Sequence, residues 1–269
     1  NFVIEDTHHK DVVMAFQILQ DLLLETPAAP LKKALIDAKI GQDVFGVYNT
    51  SIRQPVFSIV VKNTSRDKKE EFYKVVVDTL KSLVKDGIDK KLIEGAINSK
   101  EFELREADFR GYSKGLLYAI QSLKSWLYDG DPYEYLKFED NLINIKKALD
   151  TPYLENMIQK YILDNTHSSF IVMEPEKGLA DQEAFLVKRR LQEFKNSLTK
   201  EEVNELVANT KRLQEMQMTP DTAEDLEKIP MLSLEDLEEK TTYPKYEVID
   251  ENGIPFVFTS DQTNQIAYI

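Results

Sequence analysis

The stretch Val56–Gly87, VFSIVVKNTSRDKKEEFYKVVVDTLKSLVKDG, changes its hydrophobic period partway along. Phe57, Ile59 and Val61 alternate with Ser58, Val60 and Lys62, the period-two pattern of a strand whose one face lies against helices. From Ser65 to Asp86 the apolar residues Phe72, Val75, Val76, Leu80, Leu83 and Val84 recur at three and four, which predicts an amphipathic helix stopped by Gly87. Upstream, Asp11 to Glu25 sets Val12, Ala15, Phe16, Leu19, Leu22 and Leu23 on one helical face before a Thr26–Pro30 break. A short helix then opens at Pro30 and ends before Gly41, and a strand follows at Val44 to Tyr48. Downstream the pattern is helical over Asp89–Glu106, Ser113–Tyr128, Pro132–Leu149 and Pro152–Leu163, the last with Thr151 as its N-cap. A strand at Ser169–Met173 closes this region, giving an α+β class with a sheet flanked by helices.

Beyond Pro175 the chain becomes long, charged and poor in strand formers. Helices are expected near Asp181–Ser197 and Lys200–Gln217, the second opened by the capping box Thr199-Lys200-Glu201-Glu202, and together they predict a long helical hairpin. Residues 221–239 carry eight carboxylates against the single Lys228, as a solvated connector would. Tyr246–Ile249, Asn252-Gly253 and Ile254–Phe258 then read as strand, tight turn and strand. The expected divisions are 1–176, 177–241 and 242–269. Asn1 stands directly before Phe2-Val3-Ile4 and the chain stops inside Ile266-Ala267-Tyr268-Ile269, two apolar strand-like segments, so the chain is expected to be a piece of a longer protein.

Composition narrows the function. Of 269 residues, 34 are Lys or Arg and 47 are Asp or Glu; the net charge of −13 is the wrong sign for a nucleic-acid partner. No apolar run approaches the length expected of a bilayer span, so no membrane partner is expected. The absence of cysteine removes thiolate zinc sites and cysteine nucleophiles, and only three histidines remain. His8 and His9 are adjacent, so their side chains diverge; they read as a loop pair preceding the first helix, and His167 as a turn residue. No His-x-x-x-His, His-x-x-Glu-His, phosphate-binding glycine motif or Gly-x-Ser-x-Gly elbow occurs. The carboxylate pairs Glu70/Glu71 and Glu201/Glu202 read as solvated helix faces. The aromatic stretch Tyr112, Tyr118, Trp126, Tyr128, Tyr133, Tyr135 and Phe138 fits either core packing, the favoured reading, or a ligand groove.

Five segments, in order along the chain, resemble the insulinase (pitrilysin) superfamily of zinc peptidases, in its presequence protease and falcilysin branch. They are Leu22-Leu23-Leu24-Glu25-Thr26-Pro27-Ala28-Ala29-Pro30-Leu31, Arg110-Gly111-Tyr112-Ser113-Lys114-Gly115-Leu116, Ser125-Trp126-Leu127-Tyr128-Asp129-Gly130-Asp131-Pro132, Met173-Glu174-Pro175-Glu176 and Ile229-Pro230-Met231-Leu232-Ser233-Leu234-Glu235-Asp236. The resemblance implies four related α/β domains in two halves joined by a helical hairpin and closing around peptide substrates. It implies zinc bound in the first domain by His-x-x-Glu-His and a downstream Glu, with an Arg and a Tyr supplied by the last domain. No position here matches those motifs, so no catalytic and no metal residue is carried over, and the chain alone is expected to be inactive and zinc-free. Residues 1–176 resemble most of the second, zinc-free domain, 177–241 the hairpin with its acidic linker and 242–269 the opening strands of the third.

The implied function is that of a non-catalytic middle portion of a zinc metalloendopeptidase, forming chamber wall and inter-half linker. A strand early in the second domain of relatives looks like a substrate exosite, and the matching stretch is Val44, Phe45, Gly46, Val47 and Tyr48. There Gly46 would permit close approach of a peptide backbone, and an ordinary internal strand is the competing reading. Implied partners are peptide substrates and the remaining domains of the same chain, in a bacterial cytoplasm, the favoured reading, or an organellar matrix. Two other readings stay open: a zinc-free scaffold or core subunit of the same fold in a larger assembly, and an acidic helical binding module.

Overall fold

In the computed structural model the strand of the decisive stretch is the middle of a three-stranded antiparallel sheet, ordered β1-β3-β2, with β1 at Phe2–Val3, β2 at Asp43–Asn49 and β3 at Val56–Lys62. The structure describes residues 1–237, 240, 243, 245–260 and 263–269. Cross-strand partners include Val44 with Val61, Gly46 with Ile59, Tyr48 with Phe57, and Phe2 with Phe57. Side chains alternate across a strand, so Val44, Tyr48, Phe57, Ile59 and Val61 share one face, and that face packs into the core. The other face carries Phe45, Val47 and Val60, with the Lys62 ammonium 4.9 Å from the Phe45 ring centroid.

Helix α1 (Lys10–Gln20) lies against the inner face, burying Val13, Met14, Ala15, Phe16, Ile18 and Leu19. The Phe16 ring centroid sits 5.5 Å from Phe57, 5.8 Å from Tyr48 and 5.8 Å from Tyr161, an aromatic cluster joining strand to helix. The run Lys10–Asp37 is long and apolar enough to cross a membrane by length and composition, against the expectation of no such run. Over half of its apolar window, 56%, is buried, and these side chains are the core of the sheet-and-helix layer. Around it stand α2 (Pro30–Asp37), α3 (Lys69–Asp86), α4 (Lys90–Glu106), α5 (Lys114–Trp126), α6 (Glu139–Lys147) and α7 (Tyr153–Ile158). Gly87 ends α3 at φ 84°, a conformation that favours glycine.

Several local expectations are corrected. The first helix does not stay α-helical to Glu25: it loosens into a π-turn at Asp21–Glu25, and α7 does the same at Gln159–Leu163. In both turns a glutamine amide donates to an acid five residues on, Gln20 to Glu25 at 3.1 Å and Gln159 to Asp164 at 2.7 Å, the spacing that a π-turn superposes. Pro132–Leu149 is not one helix but a 3-10 turn at Glu134–Leu136, then α6, then another 3-10 turn at Ala148–Asp150. Asp131 holds the Tyr133 N–H at 2.9 Å and Tyr135 bonds the Thr7 carbonyl, so this segment is tied outward before a helix can propagate. Thr151 does not cap α7: its hydroxyl turns back to the Ala148 carbonyl at 2.7 Å, and the N-cap is Pro152.

Ser169–Met173 is not a strand. Ser168 bridges to Phe2 and Ser169 bonds Asn1, but the two-residue β1 offers no longer ladder, and Phe170 leaves to pack on Phe72 at 5.6 Å. Ile266–Ile269 is not a strand either; Asn264 and Tyr268 bond Arg105 and Glu106 at the end of α4.

The chain divides into two units, Asn1–Glu174 with Gln262–Ile269, and Pro175–Asp261. In the second, α8 (Leu179–Ser197) and α9 (Lys200–Met218) form where expected, and Thr199 and Glu202 close the capping box. Neither helix has a buried residue, and Phe185, Leu191, Phe194, Leu206 and Leu213 are exposed. A short α10 (Ala223–Leu226) follows. Strands β4 (Tyr246–Glu251) and β5 (Ile254–Thr259) pair through Asn252 and Gly253, at φ 56° and 83°, both positive as a type I′ hairpin turn requires. Glu238 and Glu239 of the acidic run, and the 241–242 division, lie outside the described residues.

Candidate functional site

Strand β2, which holds the candidate stretch Val44–Tyr48, is an edge strand: among the described residues it pairs with β3 on one side and with no strand on the other. Register decides which backbone groups face that open side. Ile4 N–H donates to Pro55 C=O at 2.8 Å, and Phe2 lies opposite Phe57, so odd-numbered residues of β3 turn their polar groups towards β1. The even-numbered residues therefore bond β2 through Asp43, Phe45, Val47 and Asn49, and Val44, Gly46 and Tyr48 turn their N–H and C=O groups outward. The Gly46 carbonyl accepts from Gln20 Nε2 at 3.4 Å, as this assignment requires.

Gly46 has a tertiary reason of its own. A Cβ built there would lie 2.8 Å from Gln20 Cγ and 2.9 Å from Leu24 Cδ1, so the space is filled by the chain's own helix at the start of the π-turn, not kept for a peptide backbone. Val44 is 1% exposed, whereas Val47 on the outer face is 43% exposed. The Tyr48 hydroxyl is buried without a hydrogen-bond partner among the described residues, and burial pushes its pKa up. The five residues thus divide: Val44, Gly46 and Tyr48 supply edge backbone with inward side chains, while Phe45 and Val47 supply a half-open apolar face.

The remaining candidates resolve into structural roles. His8 Nδ1 lies 2.6 Å from Asp6, and Arg53 Nε donates to the same carboxylate at 3.0 Å. The His8 backbone N–H, then the His8 ring and Arg53, hold the Asp6 carboxyl well below the usual carboxylate range. His9 precedes α1 without a capping side-chain bond, and His167 follows an Asn165 turn. Among the described residues no three His, Cys, Asp or Glu side chains converge to hold a metal ion, so the residues present do not fit zinc. Glu71 pairs with Lys68 at 2.6 Å, and Glu202 serves the capping box.

Core packing describes only part of the aromatic stretch: Phe138 packs against the core, and Tyr128 and Tyr135 are half-buried. Tyr112, Tyr118, Trp126 and Tyr133 are exposed, and the α5 side that carries Leu116, Ile120, Leu123 and Leu127 is open as well. Tyr135 bonds the N-terminal segment through Thr7, and the Tyr128 hydroxyl donates to the Ser51 carbonyl at 3.4 Å. The helix rests on its opposite side, where Ser125 is fully buried and donates to Asp131 C=O at 2.6 Å. The aromatic count was visible in the sequence; which side of α5 the sheet unit covers was not. The Gln20 contact with the edge had only a faint signal, a glutamine and an acid five apart.

Two family models match the chain: that of the peptidase M16 inactive domain over residues 2–100, and that of the region associated with subfamily C of the same peptidases over residues 173–269. Protein HypA of Clostridium perfringens is 48% identical over 269 residues, covering all of this chain and 28% of that protein. Presequence protease 1, chloroplastic/mitochondrial, of Arabidopsis thaliana is 35% identical over 264 residues, covering 95% of this chain and 24% of that protein. The mitochondrial presequence protease of Danio rerio is 25% identical over 272 residues, covering all of this chain and 26% of that protein. The chain therefore spans about a quarter of the length of the curated relatives it matches. With these two matches and the similarity to presequence proteases, the chain belongs to the insulinase-type M16 family and is presequence protease-like.

Proposed function

We propose that this chain is the non-catalytic part of a peptide-degrading zinc metalloendopeptidase, and that it holds extended peptides along the free edge of β2. The observation that carries the reading is the strand-free side of β2 among the described residues, where Val44 and Gly46 are buried, Tyr48 is half-buried and Val47 is exposed. Val44 and Tyr48 turn backbone donors and acceptors outward beside the half-exposed Phe45 and Val47. Strand addition takes affinity from main-chain hydrogen bonds and selectivity from alternate side chains, so it suits substrates of varied sequence. The sheet and its helices then serve as chamber wall, and α8 and α9 as linker between the halves of the longer protein. Zinc and the reacting residues belong, in this reading, to parts of that protein outside this chain. Bacterial and organellar relatives fit a bacterial cytoplasm and an organellar matrix equally.

The test uses a fluorescently labelled extended peptide of alternating valine and lysine, titrated with the chain and read by anisotropy. Two analogues are N-methylated on every second residue, one in each phase. An added strand turns only one phase of its N–H groups to β2, so one analogue should bind like the parent peptide and the other should not bind. Equal binding of both analogues would refute strand addition at β2.

A further inference from the structure

Resting on the strand-addition reading, we infer that Gln20 is a displaceable cap on the β2 edge, so that a peptide binds by exchanging its own N–H for the Gln20 amide at the Gly46 carbonyl. Three features bring this about. Asp21–Glu25 is a π-turn, and the helix that ends at Gln20 is thereby set close against β2: Gln20 Cγ and Leu24 Cδ1 occupy the place where any Cβ at position 46 would stand. Gln20 Nε2 reaches the outward carbonyl of Gly46 at 3.4 Å and Glu25 Oε1 at 3.1 Å. The longer bond goes to the edge and the shorter to the carboxylate, so the amide keeps its charged acceptor when the edge acceptor is taken over. Charged acceptors make the stronger hydrogen bonds, which makes release from Gly46 the easier of the two.

The second π-turn shows what is special about the first. Gln159 makes the same bond to Asp164, at 2.7 Å, and has no hydrogen bond to a strand among the described residues. The clamp from glutamine to acid thus belongs to the turn, and the contact with the sheet is an addition peculiar to Gln20. An edge strand with unpaired polar groups is also a template for unwanted pairing, and a side-chain donor on its central acceptor reduces that risk while leaving the site usable. Gln20 is here a positioning and specificity residue: only a segment able to present an N–H at that point of the edge can displace it.

Gln20→Met keeps the aliphatic stem against Gly46 and removes the donor. It should tighten binding of the valine-lysine peptide by about three- to tenfold, the worth of one competing hydrogen bond. It should leave the non-binding N-methyl analogue non-binding. Gln20→Ala should tighten binding in the same direction, and serves if the methionine variant packs poorly. Unchanged or weaker binding by both variants, with the phase difference between analogues intact, overturns the cap and leaves the edge reading standing. Loss of the phase difference in the unmodified chain overturns the edge reading, and the cap with it.

Discussion

Replacing Gly46 with alanine probes the closest contact between sheet and helix, and its cost can be worked from the coordinates. The new methyl would stand 2.8 Å from Gln20 Cγ and 2.9 Å from Leu24 Cδ1. Carbon atoms rest at about 3.5–4.0 Å, so each neighbour must retreat by roughly 0.6–1.2 Å. Gln20 can swing, but Leu24 is 0% exposed and has no free space to enter. Overpacking of this kind costs about 1–3 kcal/mol. Alanine also relieves the entropic cost of a glycine within a strand, about 0.5–1 kcal/mol, which leaves a net loss near 1–2 kcal/mol. The assay is urea unfolding followed by near-ultraviolet dichroism, which reports the aromatic cluster around Phe16, Tyr48 and Tyr161. A change within about 0.5 kcal/mol, the range of an ordinary surface substitution, would refute the contact argument. The double variant with Leu24→Ala sharpens the test. Leu24→Ala alone leaves a cavity and costs about 2–5 kcal/mol. The alanine methyl at position 46 partly fills that space, so the double variant should lie about 0.5–3 kcal/mol above the sum of the singles. Strict additivity would show that the two side chains do not compete for one place. A consequence follows for the edge: Gly46→Val would disturb the fold, so it cannot serve as a clean probe of peptide pairing.

Asp6 has a folded-state pKa held below its unfolded value by the His8 N–H, the His8 ring and Arg53, so its stabilising contribution is present above the unfolded pKa and lost as pH falls through the folded one. Asp6→Asn should therefore flatten the acid limb of the stability profile below about pH 4, and an unchanged limb in pH-dependent urea melts would contradict it. Thr199→Ala removes the hydroxyl that accepts the Glu202 N–H at 3.2 Å. It should weaken the start of α9 by about 1 kcal/mol, seen as faster amide exchange over residues 200–205, with no change at Lys69–Asp86. Elemental analysis of the dialysed chain should find no stoichiometric zinc; one tightly held ion per chain would show a donor set that the described residues do not form.

Much of the fold was legible because its signals are local. The alternation of Val56–Lys62, the three-four spacing of Ser65–Asp86, the Thr199 to Glu202 box and the Asn252-Gly253 turn each act within a few residues, and each element stands where its pattern put it. The misreadings share a different cause. Thr151 has the residue type and position of a cap, but its hydroxyl has a nearer acceptor behind it, the Ala148 carbonyl. Ser169–Met173 has a strand's composition, yet pairing needs a partner long enough to pair with, and β1 ends after two residues. The aromatic residues around α5 promised a core because composition does not say which side of a helix its neighbours cover, and that side proved to be the one with Ser125.

What the sequence determined by itself was most of the helices and strands and their order, the lack of a metal or nucleophile motif, and a kinship with peptidases carried by short segments read in order. What only the tertiary structure decided was β2 as a free edge, the outward phase of Val44, Gly46 and Tyr48, and the occupation of the Gly46 space by Gln20 and Leu24. The physical reason is range. Helix and strand preferences arise from each residue's own backbone and nearest turns, whereas an edge is defined by the strand that does not come, and a glycine's purpose by a side chain twenty-odd positions away.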